Sequence, residues 1–224
     1  MHNTVTSTLA TLETRIHERH LLTHPFYQAW SGGGLTWRAL QEYSKQYYRQ
    51  VEAFPTYVSA VHSNCPSLPV RQQLLENLIE EERGDENHPE LWLRFAAALG
   101  VSRAEVVAAP LLPETAAAVY TFRTLTRDRS YLAGLAALFA YEAQVPEVAT
   151  TKIAGLKQFY GIEDPRAIAF FTVHQHADRW HAETARQVLG ANLTPDNTAE
   201  VVTACEQALE ALWKLLDGVY RAYC

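Results

Sequence analysis

The sequence is poor in every feature that would mark a disulfide framework, a membrane span or a nucleic-acid surface. It has three cysteines, Cys65, Cys205 and Cys224, with no CxxC spacing, which argues against both a disulfide scaffold and a structural zinc site. Its 19 Lys and Arg are scattered and outnumbered by 25 Asp and Glu. The resulting net charge of -6 disfavours nonspecific nucleic-acid binding, which needs clustered cations. The most apolar stretch, Tyr131 to Tyr141, is too short for a bilayer, which takes roughly 20 residues. There is no charged-then-apolar N-terminal signal, no repeat, no low-complexity tract and no alternating strand pattern. The expectation is a cytoplasmic protein with neither a membrane nor a nucleic acid as partner.

What is present is helical. Hydrophobic residues make up 48% and charged residues 20% of the 224 positions, enough for one core, so positions 1–224 read as a single all-α domain of about seven to eight helices. A first amphipathic run spans Val5 to Leu22, and His24-Pro25-Phe26-Tyr27-Gln28-Ala29-Trp30 follows, closed by Gly32-Gly33-Gly34. Thr36 caps a long helix to about Ser63. Pro66 and Pro69 open the next, which the pattern carries to Leu99, with Gly100 as its stop. Ser102 and Glu105 form a capping box. Further helices are expected over Glu114 to Thr126 and Ser130 to Tyr160, from Asp164-Pro165 to Gly190, and from Thr194-Pro195 to about Tyr220.

Three of these helices carry metal-binding residue types where a core should be. Steps of three and four residues track one helix face. After Pro165 that face reads Ala167, Phe171, His174, Asp178, His181, Ala185, Val188. Before Gly100 it reads Leu74, Leu78, Glu81, Asp85, His88, Trp92, Phe95, Leu99, with Asp85 as a further ligand or an acceptor for an imidazole N–H. The third gives Tyr131, Leu135, Leu138, Glu142, Val145, Ala149, Lys152, Leu156, with Pro146 bending it just beyond Glu142. In a straight helix Lys152 would lie about 15 Å from Glu142. Buried carboxylates and imidazoles are costly without partners, and a cation removes that cost. Zinc alone needs only about four ligands. Six, namely Glu81, His88, Glu142, His174, Asp178 and His181, suit two iron or manganese ions held between bundle helices.

The layout resembles the haem-oxygenase-like helical fold in its di-iron oxidase and oxygenase branch, over nearly the whole chain. It is most similar to the chlamydial protein associating with death domains and its bacterial relatives. The segments that carry the likeness are His24 to Trp30, Glu81 to His88, Tyr141 to Glu147, Lys152, and His174 to His181. The resemblance implies p-aminobenzoate formation for folate biosynthesis, with the protein as its own single-turnover substrate. Tyr27 would supply the ring and Lys152 the amino nitrogen, with Tyr43 and Tyr141 beside them. Two irons, or a manganese–iron pair, would act with O2 as co-substrate and an external reductant. The fold analogy also implies a homodimer. Two other readings are a conventional di-iron oxygenase acting on a diffusible substrate, and an interaction protein that binds helical death domains. More distant branches fit less well. A pyrroloquinoline-quinone synthase needs no metal, and a thiamine-degrading relative would be expected to use a nucleophilic cysteine.

Overall fold

The computed structural model describes residues 2–175 and 177–224, and side chains from Thr8 onward apart from that of residue 177. All its regular elements among these residues are helical. The α-helices are α1 (His2–Glu18), α2 (Pro25–Ser31), α3 (Trp37–Asn64), α4 (Leu68–Glu82), α5 (His88–Ala98), α6 (Arg103–Ala108), α7 (Pro113–Arg127), α8 (Tyr131–Glu142), α9 (Val145–Tyr160), α10 (Ala169–His174), α11 (Ala177–Asn192) and α12 (Pro195–Tyr223). A 3-10 turn, Leu21–Thr23, joins α1 to α2.

The middle of the bundle is α8. Every residue from Leu132 to Glu142 is buried, as expected of a helix that is apolar all round. Helices α12, α11, α7 and α3 pack around it, and α3 also lies against α4 and α5. Gly134 permits the closest approach: a Cβ there would meet Val61 at 2.7 Å and the Thr126 backbone at 3.1 Å. Fully buried Phe26, Trp30, Tyr57, Trp92, Phe95, Phe122 and Phe171 fill the remaining core. Each large apolar side chain contributes roughly 1.5–3 kcal/mol by leaving water.

Several expected ends are found where the capping chemistry placed them. The Thr36 hydroxyl accepts from the Ala39 N–H at 3.1 Å, and both halves of the Ser102–Glu105 box form. The last helix starts at Pro195 and runs on to Tyr223, beyond the expected Tyr220.

Three expected long helices are each interrupted, which raises the number of segments within the same all-α architecture. The run from Pro69 to Leu99 breaks after Glu82. Gly84 turns the chain at φ +74°, Asn87 caps α5, and Pro89 occupies its first turn. The stretch from Ser130 to Tyr160 breaks between Glu142 and Val145, where Pro146 opens α9. Gln144 fastens that break: its Oε1 accepts from the Leu21 N–H at 2.8 Å and its Nε2 donates to the Ala140 carbonyl at 2.6 Å. The helix expected from Asp164 begins only at Ala169, because Asp164 spends its carboxylate on an Asx turn to the Arg166 N–H. It ends at His174, and α11 runs on past Gly190 to Asn192.

Candidate metal centre and lysine chamber

The three breaks decide which helices present the polar residues. Glu81 is on the last turn of α4 and His88 on the first turn of α5, so they are not two turns of one stripe. Asp85, expected between them as a ligand or acceptor, lies exposed in the connecting loop and takes no part. Glu142 is the last residue of α8, His174 the last of α10, and Asp178 and His181 fall in the first two turns of α11.

All six are 2–4% exposed and gather into two triplets: Glu81, His88, His174 and Glu142, Asp178, His181. Within each triplet the donor atoms lie within 4.8 Å of one another. His88 Nδ1 is 2.7 Å from Glu81 Oε2, and the two imidazoles of His88 and His174 are 4.4 Å apart. His181 Nδ1 is 3.7 Å from Glu142 Oε1 and 3.6 Å from Asp178 Oδ1. The triplets are neighbours: Asp178 lines a cavity of about 10 Å³ with Glu81 and His174.

These groups do not satisfy one another by hydrogen bonding. His88 Nδ1, Asp178 Oδ2 and both ring nitrogens of His181 are buried with no hydrogen-bond partner, although several sit at contact distance from a carboxylate. A buried ion costs several kcal/mol if left uncompensated. Without a cation the site's titration is distorted accordingly. Burial pushes Glu142 up to about 8, outweighing the opposing pull of His181. Burial and then Glu81 hold Asp178 well above the carboxylate range. Burial, with His88 beside it, depresses His174 strongly. For His88 burial pulls down, but Glu81 more than offsets it and the imidazole is raised. Nitrogen and oxygen atoms that converge without pairing are the donor set of iron or manganese, and the residues present fit such ions.

His174 is oriented by its own helix. Its Nδ1–H donates to the Phe170 carbonyl at 2.6 Å, leaving Nε2 free for a cation. Asn77, one turn before Glu81, donates to Glu142 Oε1 at 2.8 Å. It went unnoticed in the sequence, though its place in the Leu74–Leu78 seam was a usable signal.

On the other side of His174 lies a second chamber. Lys152 on α9 is 3% exposed, and with Tyr47, Tyr141, Phe170, Phe171 and His174 it lines another cavity of about 10 Å³. Its Nζ sits 4.9–5.8 Å from the ring centres of Tyr47, Tyr43, Tyr27, Phe171, Trp92 and Trp30. It donates to the Tyr43 hydroxyl at 2.6 Å, and the Tyr43 and Tyr27 hydroxyls are 3.1 Å apart. The Tyr47 hydroxyl donates to that of Tyr141 at 3.1 Å. Burial holds the lysine pKa well below its ordinary value and those of Tyr27, Tyr43 and Tyr141 well above theirs. Burial thus disfavours the charged form of the amine and of the phenols alike.

The residues around His24 explain how Tyr27 is held. His24 Nδ1 accepts from the Phe26 N–H at 3.0 Å, capping α2, while its Nε2–H donates to Asp217 on α12 at 3.1 Å. Pro25 fixes the first helical residue. Tyr27 is thereby buried with 0% exposure. Trp30 packs on Gly155, where a Cβ would fall 2.7 Å from the indole, and its Nε1 donates to the Lys152 carbonyl at 3.2 Å.

A larger depression lies elsewhere. A groove of about 920 Å³ between α1, α7 and α12 shares no residue with either chamber. Several of its charged side chains pair with one another, as in Arg15–Glu206 at 2.8 Å and Lys214–Glu210 at 3.3 Å, so the chemistry is placed by the buried polar clusters and not by this opening. The cysteines take no part: burial pushes the Cys205 thiol up to about 12, and Cys224 lies at the exposed end of α12.

A family described as iron-containing redox enzymes matches residues 41–213, which spans α3 to α12 and all six clustered residues. The chain belongs to that family. It is therefore an oxidoreductase of an iron-using kind. Among curated proteins it is 46% identical over 223 residues to the 4-aminobenzoate synthase of Nitrosomonas europaea, covering 95% of this chain and 91% of that one. It is 41% identical over 214 residues to the 4-aminobenzoate synthase of Chlamydia pneumoniae, covering 96% and 95%. Among solved structures, a protein from Shewanella denitrificans described as having a heme oxygenase-like fold superposes with a TM-score of 0.76, covering 97% of this family member and 92% of that chain at 20% identity. The fold expected from the sequence is the fold found. No helix among the described residues is long and apolar enough to cross a membrane.

Proposed function

We propose that this protein is a metal- and O2-dependent p-aminobenzoate synthase that consumes its own Tyr27 and takes the amino nitrogen from Lys152, once per chain. The observation that carries the reading is the buried file Lys152–Tyr43–Tyr27, whose amine lines a cavity with His174, a member of one of the two candidate metal-binding triplets. The names of its relatives supply the product class.

Glu81, His88 and His174 would hold one ion and Glu142, Asp178 and His181 the other, as two irons or a manganese–iron pair. When bound, the pair supplies the redox chemistry that activates O2, with electrons from an external reductant. The protein's own groups do the rest. Apolar walls keep Lys152 as a free amine, the nucleophilic form. Tyr43 accepts from Lys152 Nζ and its hydroxyl shares a hydrogen bond with that of Tyr27, which would give a path for a proton between amine and phenol. Tyrosine already carries a para-substituted ring. With O2 as the oxidant, cleavage of its Cα–Cβ bond would leave Cβ as the carboxyl carbon; the Lys152 nitrogen would bond to the ring carbon as the phenol oxygen departs as water, and oxidation at Cε followed by hydrolysis would break the Nζ–Cε bond and leave Cε as an aldehyde. Tyr141 lines both small cavities and stands between the ion sites and the chamber.

Cavity size favours this reading over an oxygenase with a diffusible substrate. The cavity that Lys152 lines measures about 10 Å³, room for about one water, while a wider opening of about 580 Å³ includes only Asp178 of the six clustered residues. The Tyr27 ring is one of six protein rings within 5.8 Å of the amine, its centre at 5.2 Å.

The test is isotopic. Protein carrying ring-labelled tyrosine and nitrogen-labelled lysine, loaded with Fe(II) and reduced, is exposed to O2 without chorismate. Doubly labelled p-aminobenzoate should form, at no more than about one molecule per chain, and Tyr27→Phe should abolish labelled product. Unlabelled product, or repeated turnover on an added substrate, would reject self-consumption.

A further inference from the structure

We infer that Glu80 is a positioning residue that fixes the ring of His181, an inference that rests on the ligand role proposed above. An imidazole that gives one nitrogen to a cation has its other N–H left over, and that N–H needs an acceptor. His174 uses a carbonyl of its own helix. For His181 the ring is buried, Nδ1 faces Glu142 and Asp178, and Nε2 has no hydrogen-bond partner in good geometry. The group at Nε2 is the carboxylate of Glu80, with Oε2 at 3.2 Å, ion-pair distance but off the N–H line. The Glu80 side chain is 46% exposed, so a small rotation about its outer bonds brings the acceptor into line. Trp180 packs edge-on against the same imidazole at 5.4 Å, limiting its other motions.

Helix α4 then serves both ion sites with consecutive residues. Glu80 and Glu81 project about 100° apart around its axis. One reaches His181 of the second triplet and the other His88 of the first. Glu81 is buried and lies within a triplet, whereas Glu80 sits at the solvent edge, outside both. A carboxylate there holds the N–H at Nε2 and keeps Nδ1 as the lone-pair nitrogen directed inward.

The full chain is reconstituted with Fe(II) without oxygen, and bound iron is followed as ferrozine competes for it. Glu80→Ala should weaken one of the two irons by about 10- to 100-fold while the other resists as before. Glu80→Gln retains an acceptor oxygen and should restore most of that resistance. Glu82→Ala, at an exposed neighbour, should change nothing and so controls for lost surface charge. Co(II)-loaded protein supplies a second readout: the visible bands should move in Glu80→Ala and return in Glu80→Gln. The inference is overturned if Glu80→Ala keeps both irons as firmly as the unaltered protein. It is equally overturned if Glu80→Gln is as weak as Glu80→Ala, because the carboxylate would then be acting by its charge or as a ligand. His181→Ala separates the two levels. If it keeps both irons, the ligand assignment itself fails; if it loses one while Glu80→Ala loses none, only the role of Glu80 falls.

Discussion

The ionisable groups on the two sides of His174 are all buried, and the two sides handle them in opposite ways. Toward α11, three carboxylates and three imidazoles are packed together, with ring nitrogens and a carboxylate oxygen unpaired. Toward α9, a single amine sits among six aromatic rings with one hydroxyl to donate to. In the first region burial is tolerable only if a cation is added. In the second, burial favours the uncharged amine, which has the Tyr43 hydroxyl as its partner. On the proposed reading, desolvation would favour a cation on one side and a nucleophilic amine on the other, with His174 lining cavities on both.

The sharpest way to break this comparison is to remove a donor on the metal side. Asp178→Ala should lose one of two bound irons and lower product yield by on the order of 100-fold, read by metal analysis and by p-aminobenzoate released. If iron content stays at two, the pairing of dryness with metal demand is wrong.

The matching change on the other side is Lys152→Met, similar in volume and without the amine. It should abolish amino-labelled product while iron content stays unchanged. It should also stabilise the fold by roughly 1–3 kcal/mol at neutral pH in urea unfolding, because a buried polar group is gone. The pH dependence should change as well. The folded-state pKa of Lys152 is depressed while the unfolded value is near 10.4, so between them the unfolded chain binds the extra proton. Stability should then rise with pH across that window, by up to about 1.4 kcal/mol per unit, and fade as pH falls. Lys152→Met should remove that slope; an unchanged slope would mean that the amine is charged in the fold.

Gly155→Ala should cost about 1–3 kcal/mol, since the added methyl meets the Trp30 indole and carbonyl and the chamber wall must shift. The smallest effect belongs to Asp85→Ala, expected within about 0.5 kcal/mol and without change in iron content, because that side chain lies in an exposed loop. A large effect there would mean that the loop folds over the site.

Much of this was legible in the sequence because an ionisable residue in an apolar seam is expensive wherever the seam goes. Glu81, His88, Glu142, His174, Asp178 and His181 stood out on that ground, and all six converge. The seam argument treated 69–99, 130–160 and 164–190 as continuous, however. Each is broken by a local signal that helical periodicity averages over: Gly84 with Asn87 and Pro89, Pro146 with Gln144, and Asp164 closing on its own backbone. Periodicity persists across a short break, so Asp85 was carried into the site by a helix that had already ended. For Lys152 the sequence named the residue and the bend at Pro146 but not the position that the bend gives it. A straight helix would set it about 15 Å from Glu142, whereas the break sends α9 back so that the amine shares a cavity with His174. Glu80 carried no signal at all, since an exposed acid on a helix is the commonest of residues. The aromatic walls were equally hidden, because Trp30, Trp92 and Phe171 are ordinary core residues one at a time and form an enclosure only in three dimensions.

The tightness of the two cavities has a consequence for how such a protein would be used. Tyr27 is fully buried among the described residues, so a ring cut from it would leave only as the side chains around it move. For a repeating catalyst that delay would throttle output. For a chain spent after one event it hardly matters, because supply is then set by how fast the ribosome replaces the molecule. The gene's expression level would become the rate constant of the pathway.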